Sequence, residues 1–144
     1  MTVYTELIEF HGHPMIKSTH RSTIEVTRDE ELTLRGDCII GVGANRGLTD
    51  FAPATKTAIQ SGSGCEVVVT LQVEDGEFFS LKAKGSDRLS LRSSTEMVIR
   101  KSTYASDRTL AVSANAAAID IPRKIVESLR STATKGLMTI EVKT

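Results

Sequence analysis

The chain has only three histidines, and they lie within ten residues: His11, His13 and His20. On a strand, residues two apart project to the same side. A His-x-His pair with a third histidine nearby is therefore a spacing that metal sites in β domains use, neutral imidazole suiting zinc, iron, nickel or copper. Pro14 holds His13 extended, and Asp37 or Cys38 from another strand would complete the shell. His20 has the parity of Ile24 and Val26, whereas His11 has that of Glu9, so the two meet only if segment 12–18 folds back. The plainer reading is three turn or surface histidines with no common ligand.

A second group is basic. Arg88, Arg92, Arg100, Lys101 and Arg108 share a stretch with Ser90, Ser93, Ser94 and Thr95. Forked guanidinium donors and hydroxyls suit a phosphate or carboxylate. Nucleic acid would want aromatic platforms for stacking, and Tyr104 is the one aromatic nearby. The run Gly41-Val42-Gly43-Ala44-Asn45-Arg46-Gly47 follows a strand-like segment and precedes a helix-like one, the setting in which a glycine-rich loop cradles an anion. Its third glycine is one place late for G-x-G-x-x-G, and Glu74 lies too far beyond for the acidic partner of a dinucleotide site. An anion pocket with Arg46 as donor stays open beside a purely structural role in tight turns. No serine sits in a nucleophile elbow. Asp87, Asp107 and Asp120 have no evident partner, and Arg35-Gly36-Asp37, an adhesion tripeptide, is set aside for an intracellular chain.

Short strands must position these groups. Tyr4, Ile8 and Phe10 share one parity, with Glu6 breaking the pattern. Ile24 and Val26 alternate with Thr23, Glu25 and Thr27, and β-branched residues favour a pleated surface. Cys38 to Val42 reads as a strand covered on both faces. Val67, Val69, Leu71 and Val73 form one arm of a hairpin, Asp75-Gly76 its turn, and Phe79, Leu81 and Ala83 the other arm. Leu89-Ser90-Leu91, Met97 to Lys101, Thr109 to Ser113 and Leu137 to Lys143 are further strand-like runs. Two short helices are expected. One carries Leu48, Phe51, Ala52, Thr55, Ala58 and Ile59 on one face, with Asp50 as cap, Pro53 in the first turn, and Gly62 and Gly64 as stop. The other carries Ile121, Ile125, Val126 and Leu129, with Asp120 as cap and Pro122 in the first turn. Ser86-Asp87-Arg88-Leu89 is echoed 20 residues later by Ser106-Asp107-Arg108-Thr109, which turn chemistry explains. The expectation is a mainly-β single domain over 1–144, an antiparallel sandwich or open barrel-like sheet with two short helices.

Composition agrees with this. The 144 residues are 40% hydrophobic, 25% charged and 4% aromatic, with 17 Thr and 14 Ser. That excludes a coiled coil, a disordered tail, a collagen-like repeat and a disulfide-dense secreted module. No apolar run has the length of a membrane span, and the N-terminal stretch does not read as a secretory signal. Net charge is zero, yet residues 1–79 hold 6 basic against 12 acidic residues and residues 80–144 the reverse. A neutral total argues against bulk affinity for nucleic acid or an anionic membrane. Cys38 and Cys65 read as buried free thiols, so a reducing cytoplasm is the expected compartment.

Several blocks resemble a known family. They are Gly12-His13-Pro14, Thr19-His20-Arg21-Ser22-Thr23, Arg35-Gly36-Asp37-Cys38-Ile39-Ile40-Gly41, Ser86-Asp87-Arg88, Met97 to Ser102, Asp107-Arg108-Thr109-Leu110 and the alanine-rich approach to Asp120. Together they resemble a largely archaeal, uncharacterised group known as domain of unknown function family 371, over nearly the whole chain. The resemblance implies a mainly-β, sandwich-like fold in an archaeal cytoplasm and supplies no activity or cofactor. His11 falls outside its pattern, leaving His13 and His20 as candidate ligands of a divalent metal.

Three functional readings follow. The leading one is a small-ligand-binding domain with a phosphate- or nucleotide-like anion site using His13, His20, Asp37, Arg88, Arg100 and Arg108. The second is a metal-dependent hydrolase or isomerase built on His13, His20 and an Asp, with an open position for water. The third is a homo-oligomeric assembly protein, the acidic and basic halves meeting between subunits. The site readings expect a concave polar pocket, and the assembly reading a flat complementary patch.

Overall fold

The protein is known from a computed structural model that describes residues 2–32, 36–62 and 65–144. Gly64, expected to help stop the first helix, and Arg35 of the adhesion tripeptide lie outside the described residues. The strands are β1 (Val3–His11), β2 (Thr23–Thr27), β3 (Ile39–Gly41), β4 (Glu66–Val73), β5 (Phe78–Lys84), β6 (Glu96–Arg100), β7 (Thr109–Ala111) and β8 (Lys135–Lys143). The helices are α1 (Pro53–Ile59) and α2 (Arg123–Ser128), each preceded by a short 3-10 turn, Leu48–Asp50 and Ala118–Asp120. Leu89-Ser90-Leu91 is not a strand: Leu91 takes a left-handed conformation (φ 54°), which breaks the ladder.

Two four-stranded sheets run in the orders β1-β8-β4-β5 and β3-β2-β6-β7. Most pairings are antiparallel as the hairpin signals predict, but β2–β3 and β6–β7 are parallel. Isolated bridges, His11 to Val42 and Lys84 to Val112, join the sheets at both edges without closing a barrel. Alternation does what it should: Val67, Val69, Leu71 and Val73 on β4 and Leu81 and Ala83 on β5 are buried in the core between the sheets. Gly76, at φ 96°, supplies the turn between those strands. Phe10 fills the gap between the sheets because two glycines make room; a Cβ on Gly41 or Gly136 would stand 2.2 or 2.4 Å from its ring.

The sheet orders read the same when β1–β4 exchange with β5–β8, so the chain folds as two interlocked, pseudo-twofold halves. Hydrogen bonds repeat across them. Asn45 Oδ1 accepts the Glu9 amide and Asn115 Oδ1 the Lys82 amide, both at 3.0 Å. Asp50 Oδ2 accepts the Gly47 amide and Asp120 Oδ2 the Ala117 amide, both at 2.8 Å. These aspartates therefore close the 3-10 turns and do not cap the α-helices, whose N-caps, Ala52 and Pro122, make no side-chain cap bond. Gly43 and Ser113 share a positive φ (61° and 53°), as do Ser18 and Leu91 (53° and 54°). Each half's 3-10 turn bonds the other half: the Thr49 amide donates to the Ser93 carbonyl, and the Ile119 amide to the His20 carbonyl.

The echo 20 residues apart is local turn chemistry, the Leu89 amide reaching the Ser86 carbonyl and the Thr109 amide that of Ser106. The structural repeat is longer. Val42-x-Ala44-Asn45 and Asp50 recur 70 positions on as Val112-x-Ala114-Asn115 and Asp120.

Candidate functional site

The second sheet has two buried faces. Ile24, Val26, Met97 and Ile99 enter the core, while Thr23, Glu25, Thr27, Val98 and Arg100 alternate onto the opposite face. Parallel β2–β3 and β6–β7 pairs require the chain to return along the strand before pairing again, and this return puts residues 101–108 beside that face. Glu25 is only 6% exposed, and Thr27 and Thr109 are equally enclosed. Glu25 and Val98 face each other in register where the two halves meet.

Around Glu25 the side chains are polar and paired. Cys38 Sγ donates to Glu25 Oε1 at 3.8 Å. Arg108 Nη1 donates to Glu96 Oε2 at 2.9 Å. Arg100 is held by Thr109 Oγ1 (2.9 Å) and Ser106 Oγ (3.3 Å), with its guanidinium 4.9 Å from the Tyr104 ring centre. Burial first, then the Glu96 charge, pushes the Glu25 carboxyl up to about 7. Burial, then the charge of Glu25, pushes the Cys38 thiol up to about 11, so it is a thiol and not a thiolate near neutral pH. Burial and the neighbouring Arg108 lower Arg100. The bond to Glu96 raises Arg108.

This cluster opens into a cleft of about 530 Å³ lined by Arg92, Ser93, Ser94, Thr95, Glu96, Ser106, Asp107 and Arg108. Part of the expected basic, hydroxyl-rich stretch, Arg92, Ser93, Ser94, Thr95 and Arg108, thus lines it, while Arg88, Ser90, Arg100 and Lys101 do not. Ser93 Oγ accepts the Thr95 and Glu96 amides (3.3 and 3.0 Å), and Ser90 Oγ donates to Asp107 Oδ1 at 2.8 Å.

The expected site residues divide between the two halves. Arg100 and Arg108 belong to the cluster. His20 and Asp37 occupy the corresponding corner of the first half, where the Asp37 carbonyl accepts the Thr19 and His20 amides. His20 Nδ1 accepts from the Ser22 and Thr23 amides, both at 3.1 Å, the task Ser93 Oγ performs in the second half. His13 and Arg88 lie on the two corresponding turns. His13 Nδ1 accepts the Met15 amide at 3.0 Å, and Ser86 Oγ accepts the Arg88 amide at 3.1 Å. Both histidines are therefore turn-closing acceptors on their Nδ1 side.

Among the described residues no three His, Cys, Asp or Glu side chains stand together as metal ligands. The three-histidine arrangement is accordingly not assembled. His11 turns instead to Glu30, Nε2 to Oε2 at 2.7 Å, while Nδ1 reaches the Gly12 carbonyl at 2.8 Å. His11 borders another cleft, of about 570 Å³, with Glu9, Asn45, Glu74 and Lys135. Its counterpart, about 400 Å³, is lined by Lys82, Asn115, Glu66 and Lys84.

Arg46 does not serve an open anion pocket. Its guanidinium is bonded to the buried Glu6 carboxylate and to the Leu7 and Asp50 carbonyls. Burial alone would raise the Glu6 carboxyl, but bonds from Thr55, Arg46 and the Ala52 amide hold it below the usual range.

The profile of the domain of unknown function family DUF371 matches residues 8–143. The chain belongs to this family. An uncharacterized protein of the archaeon Methanocaldococcus jannaschii is 38% identical over 124 residues, covering 86% of this chain and 90% of that protein. Glu25, Glu96 and Cys38 are the functional candidates that sequence reasoning passed over or named only in another role. Glu25 looked solvent-facing because it alternates with apolar residues between two threonines.

Proposed function

We propose that this DUF371 member is a ligand-binding domain and that the cleft beside Arg92 and Arg108 takes a small anion of the phosphate class. The supporting observation is the convergence of Arg92, Arg108 and the hydroxyl residues Ser93, Ser94, Thr95 and Ser106 on one cleft, with Arg100 held behind Ser106. Guanidinium forks and hydroxyls suit tetrahedral oxyanions. His13, His20, Asp37 and Arg88 belong to the supporting turns in this reading, and Arg100 and Arg108 carry the charge. The shared core of both sheets supports one folding unit over the chain. The two free cysteines support a reducing, cytoplasmic setting, and no helix is long and apolar enough to cross a membrane among the described residues.

The test is the melting temperature across inorganic phosphate, sulfate, sugar phosphates and nucleotides. A ligand at one hundred times its Kd stabilises by about 2.7 kcal/mol, which moves the midpoint by several degrees. The expected result is a rise with at least one of these anions that disappears in Arg108→Ala and in Arg92→Ala. No rise with any of them, or a rise that survives the double variant, overturns the reading.

A further inference from the structure

The charges under the cleft balance in an instructive way. Two carboxylates, Glu25 and Glu96, share the neighbourhood of two guanidiniums, Arg100 and Arg108. With both carboxylates ionised the cluster is formally neutral and offers an anion no surplus charge. With Glu25 protonated, Arg108 keeps its bond to Glu96, and since Arg92 and Asp107, the other charged lining residues, offset each other, the site carries a net positive charge. We propose that anion binding in this cleft is coupled to uptake of a proton by Glu25. This deepens the anion-site reading above and rests on it.

The geometry singles out Glu25 as the proton acceptor. It lies on β2 where the halves meet, 6% exposed, beside the Arg108–Glu96 pair that lines the cleft, so an ionised Glu25 offsets the charge Arg108 offers an incoming anion. The groups facing it are Glu96 and Arg100 on β6, Arg108 ahead of β7, and Cys38 ahead of β3 with Asp37 beside it. Arg108 already holds Glu96, Nη1 to Oε2 at 2.9 Å. The Cys38 thiol remains protonated and supplies a hydrogen bond, not a titration. Tyr104 packs its ring on the Arg100 guanidinium. Glu25 sits near 7, so near neutrality it is divided between its two forms and responds to an added negative charge. By linkage, whatever favours the proton favours the anion equally.

Sulfate is the probe, because unlike phosphate it does not titrate near neutral pH. Calorimetric titration of the full chain in two buffers of different ionisation enthalpy reads the protons taken up per sulfate. The expected result is uptake of about half a proton per sulfate near pH 7, rising toward one above pH 8, and a sulfate affinity that falls as pH rises, by up to about tenfold per pH unit. Glu25→Gln should bind with no uptake and with affinity flat in pH. Glu96→Gln, which lightens the negative charge beside Glu25, should move the uptake window to lower pH and keeps the proposal testable if Glu25→Gln fails to fold. His20→Ser, which keeps an acceptor for the same turn, is the control and should leave the uptake intact. Sulfate binding without uptake in the wild type, or uptake that persists in Glu25→Gln, overturns the coupling while leaving the anion site standing. No sulfate binding to the wild type at pH 6 overturns the coupling, and the anion site falls with it only if phosphate, sugar phosphates and nucleotides also leave the melting temperature unmoved.

Discussion

In the first half of the chain the Asp37 carbonyl accepts the amides of Thr19 and His20; in the second, the Asp107 carbonyl accepts those of Arg92 and Ser93. The two corners share their hydrogen bonds and differ in their side chains. His20 stands where Ser93 stands, Cys38 where Arg108 stands, and Thr23 where Glu96 stands. A backbone frame of this kind tolerates exchange, because carbonyls and amides carry it and any side chain with an acceptor closes the turn. The basic, open corner therefore lies in the second half and the thiol- and histidine-bearing corner in the first, while Glu25 between them is reached by both Cys38 and Arg108.

The halves differ sharply where only one of them carries a buried ion pair. Arg46 neutralises the buried Glu6 in the first half, and its counterpart in the second is Ala116. Arg46→Ala leaves a buried carboxylate without its counter-charge, held only by Thr55 and the Ala52 amide, and is expected to cost about 3 kcal/mol in urea unfolding. A loss under about 1 kcal/mol would mean the two halves are more alike than their charges indicate.

Glu25 comes next. Its folded value near 7 lies above the ordinary 4.5, because of burial and then Glu96. Its stabilising contribution is complete below pH 4.5 and is lost as pH rises through 7, a difference of about 3 kcal/mol at most. Glu25→Gln should flatten that limb and leave the protein more stable than wild type at pH 8. An unchanged slope between pH 4.5 and 7 would assign the titration to another group.

Smaller effects test the shared frame itself. Asn45→Ala and Asn115→Ala each remove the acceptor for a strand amide at 3.0 Å, and each is expected to cost about 1 kcal/mol. Costs differing by more than about 1 kcal/mol would show that the halves do not share this bond equally. Finally, His20→Ser should change stability by no more than about 0.5 kcal/mol, since Ser93 closes the matching turn, whereas His20→Ala should lose about 1 kcal/mol. Equal losses in both variants would mean the ring contributes something beyond its Nδ1 acceptor.

Much of the fold was legible along the chain. Period-two alternation at Val67–Val73, the Asp75-Gly76 turn and the stripe Ile121, Ile125, Val126, Leu129 each have a local cause, and each element forms where its pattern lies. The repeat was not legible, because only the residues that hold the frame persist across it, chiefly Val42, Ala44, Asn45 and Asp50, and the intervening side chains have diverged. The roles of Asp50 and Asp120 were misplaced by one structural unit for a related reason. An aspartate ahead of a proline suits a helix cap, and nothing local announces a 3-10 turn that claims it first.

The candidate site follows the same division. The basic and hydroxyl-rich composition of residues 88–108 was visible in one dimension, and so was its suitability for an anion, because those are properties of residue type. Which histidines would meet, which arginine would be spent on Glu96, and whether Glu25 faced water depended on contacts between segments far apart in sequence. A glutamate between threonines on an alternating strand belongs to the solvent side unless another segment covers it. Here the chain returns between β6 and its parallel neighbour β7, and Arg108 at the end of that return and Cys38 ahead of β3 stand beside Glu25. Burial, and with it the chemistry of Glu25, came from that return path.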